Sequence, residues 1–401
     1  MLSTFLLLVS APIWLLILLK VVRTAQEWRS RRAGYITFGG DDQYQAKNVD
    51  NYVHDAVMIA RVQFQMSDEA FDAVIDRVQH NYLQWFDNLV ARIQHKPKGG
   101  TFAEPLEIWD EYREYALSDG PLLSQIVLCK KEKIVLLVGN HVYLGGQLLS
   151  QFVQLVFCDS VRRDVFPKNA YIPVLSEVMM WAVLAQTTLR ATPEPIPLFD
   201  DKSQIQRFYL KRDLAEIDAI SDTLKMSRLY VIIAEHVFMV MKHMGKERIR
   251  VTLPISFSGD HSFNTVGAMF LDITATPDVP TLTRQIRAKI KRYQWQVSAT
   301  NHMQRVLPLR QLSEKARSTV DLTLTVVPQK TLPDNILADE MATYEFTMDS
   351  IHYPVYIMAF IFEGQVHSSF MVNTPAFDTQ TFVQTESAEP TNLTLDRHHR
   401  D

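Results

Sequence analysis

Apolar and polar positions change period repeatedly along the chain, and each change marks a boundary between a strand and a helix. Residues 57–64 form a β-rich run suited to a strand, and Ser67-Asp68-Glu69 behind it offers an N-cap with acidic residues in the first helical turn. The stretch that follows sets Phe71, Val74, Ile75, Val78, Tyr82, Phe86, Leu89 and Val90 on one helical face. Residues 122–128 and 134–138 read as two further strands. Gly139 ends the second of these, and Leu148, Leu149, Phe152, Val153, Leu155 and Val156 then recur at helical spacing. Strand, helix, two strands and helix is an α/β order.

Residues 172–190 form an apolar helix candidate interrupted by Glu177 and Gln186. Its Met and Trp side chains suit core packing, and also suit contact with lipid or an acyl chain. Pro193, Pro195 and Pro197 forbid a helix over 192–198, which reads as an extended crossover between two lobes. In the second half, residues 227–244 are a helix rich in apolar positions and residues 248–256 a strand that ends in Pro254. A strand over 264–273, a charged helix over 281–296 and a strand over 322–328 follow. Residues 355–372 are a hairpin with Glu363-Gly364 at its turn.

The amino terminus departs from this alternation. Residues 1–19 contain no charged side chain and are long enough for a helix to cross a bilayer core. A membrane anchor is the better reading than a cleaved signal peptide, since no basic region precedes the run and no small-residue cleavage site follows it. Lys20, Arg23, Arg29, Arg31 and Arg32 come directly after, so the positive-inside rule puts the body of the protein on the cytosolic side of a single-pass anchor. The expected organisation is therefore an anchor at 1–23, a polar linker at 24–48, an amino-terminal lobe at 49–191, a crossover at 192–205, a carboxy-terminal lobe at 206–383 and a disordered polar tail at 384–401.

Composition narrows the function classes. The chain of 401 residues is 47% hydrophobic and 21% charged with a net charge of -4, so no overall basic field argues for nucleic acid. Cys129 and Cys158 have neither metal-ligand spacing nor the number for a disulfide framework, which fits a reducing compartment. There is no Gly-x-Ser-x-Gly elbow, phosphate loop or dinucleotide fingerprint to support a serine hydrolase, a nucleotide hydrolase or a dehydrogenase. His261 and His302 lack metal partners at usable spacing, so no metal is expected, and His236 sits in an apolar helical stretch as a core histidine. Asn392 opens a glycosylation sequon that a cytosolic body leaves unused.

Of the twelve histidines, His141 is singled out by its place on a strand-to-helix turn, which is held rigidly by the strand and open on one side. An imidazole there is mostly neutral at pH 7 and able to accept a proton. Asn140-His141-Val142-Tyr143-Leu144-Gly145-Gly146 resembles the His-His-x-x-x-Asp-Gly motif of the coenzyme A-dependent acyltransferase superfamily, which includes chloramphenicol acetyltransferase, condensation domains and the wax ester synthase/diacylglycerol acyltransferases. His141 matches the catalytic histidine and Gly146 the glycine, while Asn140 stands for the first histidine and Gly145 for the aspartate.

The second half resembles the wax ester synthase/diacylglycerol acyltransferase branch in its succession of helix, Val-Pro-Val-like strand, glycine-asparagine strand and helix. Thr325 and Val326 take the places of Ser and Asn in that branch's Ser-Asn-Val-Pro-Gly strand, and Gln329 that of Gly. The resemblance spans about residues 50–383 in element order. It implies an α/β fold of two chloramphenicol acetyltransferase-like lobes, with mixed sheets, helices and a central tunnel. It also implies acyl-coenzyme A as co-substrate, no metal or other cofactor, and His141 as general base. Thr325 would line the tunnel, and Asn264 would either line it or turn a loop. With an anchor, the acceptor expected is a lipophilic alcohol, a long-chain alcohol or diacylglycerol. The alternative is a non-catalytic relative that keeps the fold to bind a lipid or a protein.

Overall fold

The computed structural model describes residues 57–90, 124–140, 196–200, 204–256, 266–297, 320–327, 341–348, 353–362, 364–386 and 388–390, together with positions 18, 21, 22, 25, 28, 29, 32 and 33. They build two sheets. The first begins with β1, Val57–Phe64, at the bounds its sequence predicts. Helix α1, Asp68–Val90, follows, its first turn capped by Ser67 Oγ, which accepts from the Ala70 amide at 3.2 Å. Strands β2, Ser124–Cys129, and β3, Ile134–Asn140, form an antiparallel hairpin whose turn places Lys133 at a φ of 52°. β3 also pairs antiparallel with β1, from Gln63 opposite Ile134 to Val57 opposite Asn140. Ile126, Leu128, Val135, Leu137 and Val62 share one buried face, where Phe71 of α1 meets Phe64 with ring centroids 5.9 Å apart.

The second sheet is made by β4, Gln206–Asp213; β5, Arg248–Ser256; β6, Val266–Thr274; β7, Leu322–Val327; β9, Val355–Phe362; β10, Gln365–Val372; and β11, Glu389–Pro390. Their order is β11-β4-β10-β9-β7-β5-β6, with β7 parallel to both β5 and β9 and the other pairings antiparallel. Helices α2, Leu214–Leu224; α3, Arg228–Met244; α4, Val279–Tyr293; and α5, Thr379–Glu386, complete this half. Asp213, Ser227 and Asp278 cap α2, α3 and α4 by accepting backbone N–H bonds, and Gly245 closes α3 at a φ of 61°. Val237, Val240 and Met244 of α3 and Leu282 and Ile286 of α4 pack with Phe208, Val251, Leu271, Leu324, Ile357 and Phe370, so these positions define the helix-covered face of the sheet.

The strand between β7 and β9 joins the other sheet. β8, Met341–Met348, leaves the second sheet and pairs antiparallel with β1, giving the first sheet the order β2-β3-β1-β8. It also packs against β10 and β9, so the continuous carboxy-terminal lobe expected at 206–383 lends a strand that ties the two sheets together.

β5 keeps the bounds that its sequence predicts, Arg248–Ser256, and runs through Pro254, opposite Ala268. β7 pairs with it only at Val251 and Thr252, so Pro254 lies beyond that pairing, where a residue without an N–H is tolerated. β3 continues through Gly139 to Asn140. Of the disordered tail expected at 384–401, residues 384–386 and 388–390 are described and ordered, and the others lie outside the described residues. α5 reaches Glu386, whose carboxylate takes Arg212 at 2.5 Å, Lys242 at 3.0 Å and His243 at 3.4 Å, and β11 pairs with β4 behind it. Among the described residues no helix is long and apolar enough to cross a membrane. The anchor at 1–23 lies outside the described residues apart from Leu18, Val21 and Val22, which are helical and exposed. The linker beyond position 33, the helix candidate at 172–190, His261 and His302 also lie outside them.

Candidate functional site

Two places in this fold bear on the expected chemistry, the end of β3 and the face of the large sheet turned away from the described helices. β3 is an interior strand, flanked by β2 and β1. At its end Asn140 stands opposite Val57 and Gly139 opposite Ser124, while Met58 faces Met348 on β8. Four chain segments from both halves of the sequence therefore converge where β3 finishes. His141, Gly145, Gly146 and Asn264 lie outside the described residues, and Asn140 is described as the last residue of β3.

Thr325 is the one predicted site residue whose surroundings are described. Strand alternation puts Thr323 and Thr325 of β7 on the face opposite Leu322 and Leu324, together with Thr252 of β5, Tyr356 and Met358 of β9, Ser369 of β10 and Tyr209 of β4. The pairing aligns Thr252 with Thr323 and Thr323 with Tyr356, so three hydroxyl-bearing residues stand side by side on neighbouring strands. Thr325 Oγ1 lies 3.3 Å from the Tyr356 hydroxyl. Burial pushes the Tyr356 phenol well above its ordinary value of 10, against the opposing hydrogen bond from Thr325, so it stays a neutral donor at every physiological pH.

The hydroxyls of Thr252 and Thr323 are buried and have no hydrogen-bond partner, and neither has that of Ser369. An orphaned buried hydroxyl costs about 1–3 kcal/mol, so a cluster of them marks a place where a water or a ligand's polar group completes the bonding. Arg250 nearby is neutralised by Asp272 at 2.7 Å. The wall thus offers uncharged donors and acceptors, chemistry that orients a carbonyl, ester or hydroxyl rather than balancing a charge. Further along the same face Tyr209 is hydrogen-bonded to His367 Nδ1, and Phe360 stacks on the His367 ring at 5.2 Å.

His236 and Cys129 are structural. His236 is buried on the helix side, bonded to the Ile232 carbonyl and to Ser368 Oγ at 2.7 Å each, and burial pushes its imidazole down to about 4. It is the satisfied core histidine its sequence context predicts. Cys129 is buried, and desolvation with the nearby Glu132 pushes its thiol up to about 12, leaving no thiolate for chemistry. Among the described residues no group of His, Cys, Asp or Glu could hold a metal ion. Sequence reasoning missed Thr252, Thr323, Tyr356 and Ser369. The alternation Leu322-Thr-Leu-Thr325 was the available signal, a period of two that sends both threonines to one face.

No protein-family profile matches the chain, and no curated protein matches it. Solved structures do. A mutant starter condensation domain of rhizomide synthetase RzmA in complex with C8-CoA is similar at a TM-score of 0.57 and 11% identity, over 89% of this chain and 95% of that one. A further mutant of that domain, in complex with C8-CoA and Leu-SNAC, gives a TM-score of 0.58 at 12% identity, over 89% and 94%. The first condensation domain of the calcium-dependent antibiotic synthetase, in complex with a substrate analogue, gives 0.56 at 10% identity, over 87% and 93%. The chain has the fold of these condensation domains.

Proposed function

We propose that this protein is a membrane-anchored O-acyltransferase that moves a fatty acyl group from acyl-coenzyme A to a lipophilic alcohol. The observation that carries the reading is the ending of interior strand β3 at Asn140, directly before the histidine of Asn140-His141-Val142-Tyr143-Leu144-Gly145-Gly146, in a fold shared with condensation domains solved with C8-CoA. His141 takes the proton of the acceptor hydroxyl while its oxygen attacks the thioester carbonyl. The carbon–sulfur bond then breaks, and the imidazolium returns the proton to the departing coenzyme A thiolate. The neutral hydroxyls of Thr252, Thr323, Thr325 and Tyr356 hold the polar part of a substrate without competing for the proton. The apolar run at 1–19 and the basic residues after it support an anchor with the body on the cytosolic side, which sets the site where a lipophilic acceptor is concentrated.

The test is ester formation by membranes carrying the full chain, supplied with labelled palmitoyl-coenzyme A and hexadecanol, diacylglycerol or a small soluble alcohol. Ester from the lipophilic acceptors supports the reading. Ester from the small alcohol alone overturns the acceptor, and none from any acceptor with folded protein overturns the activity. The second reading, a non-catalytic relative that binds a lipid or a protein, is favoured by Asn140 and Gly145 standing where the resembling motif has histidine and aspartate.

A further inference from the structure

Helix α4 carries a cationic stripe. Its fifteen residues include Arg284, Arg287, Lys289, Lys291 and Arg292 and no acidic side chain, on a chain whose net charge is -4. Leu282, Thr283 and Ile286 are buried against α3 and the sheet. At about 100° per residue, Arg284, Arg287 and Lys291 then fall together on the opposite side, with Arg292 next to them. Among the described residues none of the five is in a salt bridge; Arg292 lies 5.5 Å over the Tyr293 ring. Asp278, at the element's border, caps the helix by accepting from the Thr281 amide at 2.7 Å, and the charge of Arg284 helps to hold its carboxyl below the usual range.

A stripe with no internal acid is not held together by its own ion pairs, and like charges at this spacing repel one another on an isolated helix. Arg284 to Arg292 extends about 12 Å along the axis, which is more than one phosphate group spans and suits a surface carrying many separate anions. α4 packs on α3 and β6, on the helix-covered side of the large sheet. Anything docked there leaves the hydroxyl-bearing face free.

We infer that the Arg284, Arg287 and Lys291 stripe is a docking surface for an anionic lipid bilayer. The choice of a bilayer over an acidic protein rests on the anchor reading, since the apolar run at 1–19 followed by five basic residues makes a membrane the polyanion within reach of this chain. The stripe adds a second, electrostatic contact that fixes how the body lies on the membrane, where an anchor alone leaves it free to tumble.

The experiment places the full chain on vesicles of phosphatidylcholine alone and on vesicles with about one-third phosphatidylserine, and follows by mass spectrometry the acetylation rate of Lys291, with Lys289 on the other side of the helix as the internal reference. Each cation near such a surface is worth about fivefold in occupancy, so Lys291 should react at least fivefold more slowly, relative to Lys289, on the anionic vesicles. About 0.5 M salt should restore the rate, and Arg284→Gln with Arg287→Gln should abolish the protection of Lys291. Equal rates on the two vesicle types overturn the inference, as does slowing that appears only when an acidic protein is added. Flotation separates this from the anchor. A chain that floats with both vesicles and reacts equally on both keeps the anchor and loses the docking surface. A chain that floats only with anionic vesicles and is protected at α4 loses the anchor and keeps the surface.

Discussion

Glu235 and His236, adjacent on α3, should hide each other's pH dependence, and single substitutions should reveal it. Burial pushes the His236 imidazole from its ordinary 6.5 down to about 4, helped by Arg212 and opposed by its bond to the Ile232 carbonyl. The unfolded chain therefore takes up this proton first, and stability is lost as pH falls from about 6.5 towards 4. From pH 7.5 to 5 the loss is about 2 kcal/mol. Burial pushes the Glu235 carboxyl the other way on the scale, up to about 6, against the pull of Arg212 and with the help of Glu216 and Glu386. Here the unfolded chain loses the proton first, so stability is lost as pH rises from about 4.5 through 6, by up to about 2 kcal/mol. The two effects have opposite signs over one window, and their joint contribution changes by less than about 1 kcal/mol between pH 5 and 7.5. Urea unfolding followed by circular dichroism at several pH values is the assay. Glu235→Gln should lose about 2 kcal/mol on going from pH 7.5 to 5, while His236→Gln should gain about 1 kcal/mol over the same change. Parallel pH profiles for the wild type and both variants would refute the reasoning.

Gly267 has no room for a side chain, since a Cβ built there meets the Val297 carbonyl oxygen at 1.8 Å and its carbon at 2.5 Å. Gly267→Ala should cost about 3 kcal/mol because backbone has to move, and an unchanged melting temperature would contradict that contact. Thr323→Val keeps the shape of a buried residue and removes an orphaned hydroxyl, so it should raise stability by about 1 kcal/mol while raising KM for one substrate; a loss of stability would mean that the hydroxyl is already satisfied. Glu386→Gln should cost about 1–2 kcal/mol, discounted because Arg212 and Lys242 are partly exposed. Hydrogen exchange should rise first in α5, and a rise confined to other elements would contradict the role of Glu386 as its fastener.

Local pattern carried the elements well. β1 runs from Val57 to Phe64 as its β-rich run predicts, Ser67 caps α1, and Gly364 turns the β9–β10 hairpin at a φ of 72°. These depend on neighbours a few residues apart. The course of β8 does not. Residues 341–348 pair with β1 nearly three hundred positions earlier, and nothing in a strand's own alternation says which distant edge it will join. The hydroxyl wall escaped for the same reason, because Thr252 and Thr323 become neighbours only through the parallel pairing of β5 with β7. Thr325 was reached through the family resemblance, and its strand mate Tyr356 was hidden inside the apolar run of β9.

The central claim is that His141 is the base of an acyl transfer, and the most direct measurement compares wild type with His141→Ala for labelled palmitoyl ester formed from palmitoyl-coenzyme A and hexadecanol. A positioned general base contributes about a hundredfold to ten-thousandfold, so the variant should fall by at least a hundredfold with its urea midpoint unchanged. A variant that forms ester at the wild-type rate would contradict the account.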